Sequence, residues 1–140
     1  MKKKRLEIEY NYDFYLVGII SSARGYKLAW DINQTIGVHL TKQPDLTIQH
    51  KDKITGTYTH YLGSSTINLI RLFRNRPGEN EAAKNLLVPE YPHFDYIVMM
   101  QGEDPLDHNR LQEYLRTIPS VELVAFIPLD TLKSKDYFIF

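Results

Sequence analysis

Cysteine is absent from the sequence. Disulfides, thiolate nucleophiles, iron–sulfur clusters and cysteine-rich zinc sites are therefore excluded together, and the fold has to be held by its core. Neither sign of charge predominates: Lys and Arg number 17, Asp and Glu 17, so no global field draws the chain to nucleic acid or to an acidic membrane. The longest apolar run, Phe14 to Ile20, is far too short to cross a bilayer. The basic start MKKKR leads into the alternating LEIEYNYDF, not into the apolar run and small-residue cleavage site of a secretory signal. A cytoplasmic location is the expectation that follows.

What is present is the composition of an ordinary folded domain. With 140 residues, 43% of them hydrophobic and 24% charged, the chain suits one continuous core. We expect a single domain over residues 1–140 with a basic, solvated tail at 1–5.

Periodicity gives the order of elements. Leu6, Ile8 and Tyr10 alternate with Glu7 and Glu9, as in a half-buried strand. FYLVGII, from Phe14, is apolar on both faces, as a covered central strand would be. Ser21 or Ser22 then offers a helix cap, and Gly37 the stop. Between them Leu28, Ala29, Ile32 and Ile36 share one helical face, flanked by Tyr26, Trp30 and Asn33 in a broad buried stripe. LTIQH, TYTHYL and TINLIRLF return to period two and predict an antiparallel meander, with Thr57, Thr59 and Tyr61 on one face and Tyr58, His60 and Leu62 on the other.

The polar stretch Asn75 to Asn85 reads as the main loop. A strand at Phe94 to Met100 precedes a second helix, opened by Asp104-Pro105, striped by Leu111, Tyr114, Leu115 and Ile118, and ended by Pro119. VELVAFI and the terminal DYFIF read as two further strands. Two helices for so many strands predict an α+β fold, a largely antiparallel sheet with both helices packed on one face. Strand–helix–strand order near each end leaves room for two ferredoxin-like halves.

The densest cluster of chemistry is VPEYPHFDY, Val88 to Tyr96, which brings Glu90, His93, Asp95 and Tyr96 to a junction stiffened by Pro89 and Pro92. One reading is an acid–base set of carboxylates and a histidine. The other is a rigid loop-to-strand junction whose carboxylates bind backbone donors or an arginine of the RLFRNR segment, Arg71, Arg74 or Arg76. The junction reading is preferred, because no nucleophile–base pair and no phosphate-cradling glycine loop accompanies the cluster.

The five histidines show no metal-ligand spacing, and a meeting of His50 and His60 across the meander reads as an ordinary cross-strand pair in preference to a zinc site; no metal and no cofactor is expected. Anion binding where GIISSARG enters the first helix is an open possibility.

The stretch VPEYPHFDY resembles the signature of the bacterial IPExxxVDY family, with Pro89, Glu90, Asp95 and Tyr96 matched, and Val88 and Phe94 standing for isoleucine and valine. The resemblance implies a small bacterial protein, of a family found mostly in Bacteroidetes, and by itself implies no activity. For function, ten tyrosines without a catalytic constellation point to a non-catalytic protein-interaction or assembly domain, with a protein partner or self-association. One alternative is a small-molecule binder or small enzyme at VPEYPHFDY. Another is RNA binding through Tyr58, Tyr61, Arg71, Arg74 and Arg76, which zero net charge disfavours.

Overall fold

A computed structural model describes residues 13–50, 53–64, 68–77, 86–102 and 107–139. The strand expected at Leu6 to Tyr10, the basic tail, most of the Asn75–Asn85 loop and the Asp104-Pro105 helix opening lie outside these. Six strands form one antiparallel sheet: β1 (Phe14–Ser21), β2 (Thr41–His50), β3 (Lys53–Ser64), β4 (Asn68–Arg74), β5 (Tyr96–Gly102) and β6 (Val121–Ile127), in the order β2-β3-β4-β5-β1-β6. Helix α1 (Gly25–Ile36) follows β1, and α2 (His108–Arg116) joins β5 to β6.

β1 lies between β5 and β6, so the β5–α2–β6 crossover is split by it. The meander β2–β3–β4 returns the chain from α1 to the far side of β5. The two strand–helix–strand segments therefore interlock in one sheet instead of forming separate halves. Their topology is that of a ferredoxin-like β-α-β-β-α-β unit, with the meander occupying the place of its second strand.

The sheet has two covered faces, and strand alternation sorts residues between them. Val17, Ile19, Tyr61, Ile70, Leu72, Tyr96, Val98 and Met100 pack with Leu28, Ala29 and Ile32 of α1 and Leu111 and Leu115 of α2. On the opposite face Phe14, Leu16, Tyr58, Phe73, Ile97 and Met99 are covered by Leu87, Val88 and Phe94 and by Leu132 and Phe138. Both helices do pack on one face. The other is closed by irregular chain, the VPEYPHFDY junction and the C-terminal segment.

Three expectations change. The described residues of the terminal DYFIF, 136–139, form no strand: Ser134–Phe138 is a 3-10 turn, preceded by another at Leu129–Thr131. Only Phe138 is needed in the core, where it meets Phe73 edge-on at 5.3 Å, and a turn delivers that one ring across the sheet face. Neither Ser21 nor Ser22 caps α1; Ser21 ends β1, and Arg24 occupies the cap position without a side-chain cap bond. Tyr26 and Trp30 are 67% and 56% exposed, so the buried stripe of α1 is narrow, Leu28, Ala29 and Ile32. Gly37 does end the helix, with φ 83° and its N–H bonded to the carbonyl of Asn33.

Candidate functional site

The junction is organised from beneath by Asn75, which directly follows β4 and is fully buried. Its Nδ2 donates to the carbonyls of Phe94 (2.9 Å) and Tyr91 (3.3 Å), and its Oδ1 accepts from the Val88 N–H (2.7 Å). Its own backbone bonds Asp95 and Leu87. One amide side chain thus holds both ends of the Val88–Asp95 turn and satisfies groups that would otherwise be buried without partners.

The two carboxylates of the junction leave in different directions. Glu90 reaches the C-terminal segment, where Oε2 accepts from the Lys133 N–H (2.6 Å) and Oε1 from the Ser134 hydroxyl (3.1 Å). The Tyr91 hydroxyl reinforces the same contact through the Thr131 hydroxyl at 3.0 Å. Asp95 instead accepts from the Ser21 N–H (2.9 Å), with Arg76 Nε farther off at 3.8 Å. His93 is exposed and stacks obliquely on Phe94. Pro89 is exposed and shapes the turn. The carboxylates are satisfied separately and do not form one acid–base pair.

Asp95 and Tyr96 act on the turn from β1 into α1. Ser21 sits where the β1–β6 register slips, so its N–H is free of the ladder and available to Asp95. Ser21 Oγ accepts from the Ala23 N–H at 3.1 Å, and the buried Tyr96 hydroxyl donates to the Ala23 carbonyl at 2.6 Å. Burial pushes the Tyr96 hydroxyl above the ordinary phenol range, with Arg74 opposing, which keeps it a donor. Residues 21–24 are thereby fixed, and with them the start of α1.

Beside that start lies a pocket of about 480 Å³, lined by Ser22, Ala23, Arg24, Gly25, Tyr26, Thr59, Tyr61, Arg74 and Tyr96. The charged side chains in its lining are of one sign, Arg24 and Arg74. Helix α1 has no side-chain cap and no acidic residue in its first turn, and its first backbone bond runs from the Leu28 N–H to Arg24. The amides of Gly25, Tyr26 and Lys27 therefore have no acceptor within the helix. Arg24 and Arg74 make no ion pair among the described residues, and no lining residue is a carboxylate.

Tyr61 is only 8% exposed and lines this pocket, yet its hydroxyl has no hydrogen-bond partner among the described residues. It stands against Gly25, where an added Cβ would lie 3.3 Å from the oxygen. Burial also raises its pKa, so it is a neutral donor aimed into the cleft.

The remaining predicted residues are dispersed. Tyr58 and Tyr61 lie on opposite faces, both buried, and share no stacking surface. Arg74 joins the pocket and Arg76 approaches Asp95, whereas Arg71 is on the other face, 3.2 Å from His60 Nε2. His60 is buried against Phe73, with ring centroids 4.7 Å apart, and its pKa is lowered to about 4, chiefly by burial and then by Arg71 and Lys42. The register sets it opposite Gln43 and Phe73 and sets His50 opposite Lys53, so the two histidines are not cross-strand partners. Among the described residues no group of three His, Asp or Glu could hold a metal.

Sequence reasoning missed Asn75, read as loop, and the joining of Arg24 to Arg74 with Tyr61. The only local signal for the pocket was the strand-to-helix step at GIISSARG. In comparisons with known proteins, no family model and no curated protein matches the chain.

Proposed function

We propose that this chain is a non-catalytic recognition domain whose ligand site is the pocket at the start of α1, and that the group it recognises is anionic. The observation that carries this reading is the pocket itself: an uncapped helix N-terminus flanked by two arginines with no carboxylate in the wall. A helix start collects positive potential and unused N–H donors, and guanidinium groups add charge-assisted bonds in fixed geometry. No histidine, aspartate or glutamate lines the cleft, so its walls offer binding groups but no general base near neutrality. The residues that carry the IPExxxVDY resemblance fit this reading as scaffolding: Asp95 and Tyr96 hold the turn that shapes the pocket, and Glu90 fastens the segment closing the opposite face.

The test is titration of the isotope-labelled protein at low salt with sulfate, phosphate and benzoate, against neutral phenol. Anions are expected to shift the Gly25, Tyr26 and Lys27 amide resonances, and an Arg24→Ala/Arg74→Ala variant to bind at least tenfold more weakly. Equal shifts in wild type and double variant, or none with any anion, would refute the reading.

A protein-contact surface is the second reading. It is favoured by Tyr26 and Trp30, exposed one turn apart on α1 with Lys27 Nζ 4.9 Å above the Trp30 ring, the residue types that anchor interfaces. Affinity capture and sedimentation should then differ between wild type and Tyr26→Ala/Trp30→Ala; identical behaviour excludes it.

A further inference from the structure

Resting on the anion reading of the pocket, we infer that its ligand is specifically a dianionic phosphoryl group, free or as a monoester, and not a carboxylate or a singly charged ester. Charge balance supplies the first argument. Arg24 and Arg74 bring two full positive charges, α1 adds the partial positive charge of its start, and no lining carboxylate offsets them. The nearest carboxylate of the junction, Asp95, is engaged by the Ser21 N–H and faces Arg76. A phosphomonoester carries about 1.5 to 2 negative charges at neutral pH, which matches this wall; a carboxylate or a sulfate ester, with one, leaves it half neutralised.

Donor geometry supplies the second. The cleft offers donors from three directions: the Gly25 and Tyr26 amides along the helix axis, Arg24 at the cap, and Arg74 and Tyr61 from strands β4 and β3. A tetrahedral group with three terminal oxygens can meet all three sets, whereas a planar carboxylate has two oxygens in one plane.

Tyr61 points to a ligand independently of the helix. Its ring is held in the core by Leu28-face packing while its hydroxyl, more than nine-tenths of the residue being buried, ends in the cleft beside Gly25 without a partner among the described residues. The hydroxyl opens onto the cleft, and a phosphoryl oxygen at the helix start would give it an acceptor. The cleft volume, about 480 Å³, exceeds what a phosphate alone fills and leaves space beside Tyr26 for an organic group.

The decisive comparison is phenyl phosphate against phenyl sulfate, which share a shape and differ by one charge, each titrated calorimetrically into the full chain at pH 7.5 and low salt. We expect phenyl phosphate to bind at least tenfold more tightly, with Tyr61→Phe reducing that affinity severalfold while leaving the melting temperature within a few degrees. Arg74→Lys, which keeps the charge and loses the fork, should fall between wild type and Arg74→Ala. Inorganic phosphate binding as well as phenyl phosphate identifies the free ion as the source, and weaker binding identifies the monoester; both support the inference. Equal affinity for the two esters would overturn it while leaving the anion reading intact, and failure of both esters to bind would remove both.

Discussion

Replacing Asn75 by alanine tests whether the VPEYPHFDY junction is held from beneath. The side chain is fully buried and makes three hydrogen bonds, to the Val88 N–H at 2.7 Å and to the carbonyls of Phe94 and Tyr91 at 2.9 and 3.3 Å. Truncation removes the partner of a buried N–H and of a buried carbonyl, each loss costing about 1–3 kcal/mol, and leaves a cavity that water is poorly placed to fill. The expected destabilisation is about 3–5 kcal/mol, a large part of the roughly 5–15 kcal/mol typical of a domain.

In urea, with a slope of about 2 kcal/mol/M, the midpoint should fall by about 2 M. Asn75→Asp sharpens the test. It keeps the acceptor for Val88 but replaces the donor with negative charge facing two carbonyls, so it should be at least as damaging as alanine. The exposed Asn109→Ala serves as control and should change stability by less than about 0.5 kcal/mol. A loss of under about 1 kcal/mol for Asn75→Ala, or a wild-type midpoint for Asn75→Asp, would refute the claim that this side chain organises the junction.

Three further outcomes follow from the packing. At Gly18, a Cβ would fall inside the Phe94 ring, so Gly18→Ala should cost about 1–3 kcal/mol and should cost less, or stabilise, in a Phe94→Leu background; additive effects in denaturation would contradict the contact. Because the folded pKa of His60 lies near 4, below its usual 6.5, the unfolded chain takes up its proton first; the contribution is complete above pH 6.5 and is lost as pH falls from 6.5 through 4. A ring-proton titration of folded His60 with a midpoint near 6.5 would disprove that burial. Glu90→Ala should cost only about 1 kcal/mol, since its bonds lie partly in solvent, yet speed tryptic cleavage after Lys133 and Lys135, and unchanged cleavage would show that Glu90 does not hold this segment.

Much of the fold was legible in the chain because side-chain alternation is a local property. FYLVGII is apolar on both faces and the meander carries a period-two pattern, as covered and half-covered strands must, and the separation of Tyr58 and His60 from Tyr61 across the two faces follows from alternation along the strand alone. Gly37 could be read as the end of α1 because a left-handed residue there favours glycine. DYFIF was misread because its pattern suits a strand equally well; the deciding factor was an uncovered patch around Phe73 and Phe14, which a single ring on a short turn fills.

The site was less legible. That Glu90 and Asp95 would bind backbone donors was open to the sequence, but their partners, Lys133 and Ser21, lie 43 and 74 residues away and were set by chain topology. The pocket depends on the same topology: Arg74 ends β4, Tyr61 belongs to β3 and Arg24 precedes α1, and only the split crossover brings β1's exit beside them. The sequence by itself determined which residues alternate, which turns stop helices and that no thiol chemistry is available. The tertiary structure decided which charges are brought together, because that depends on distances between elements that no local pattern encodes.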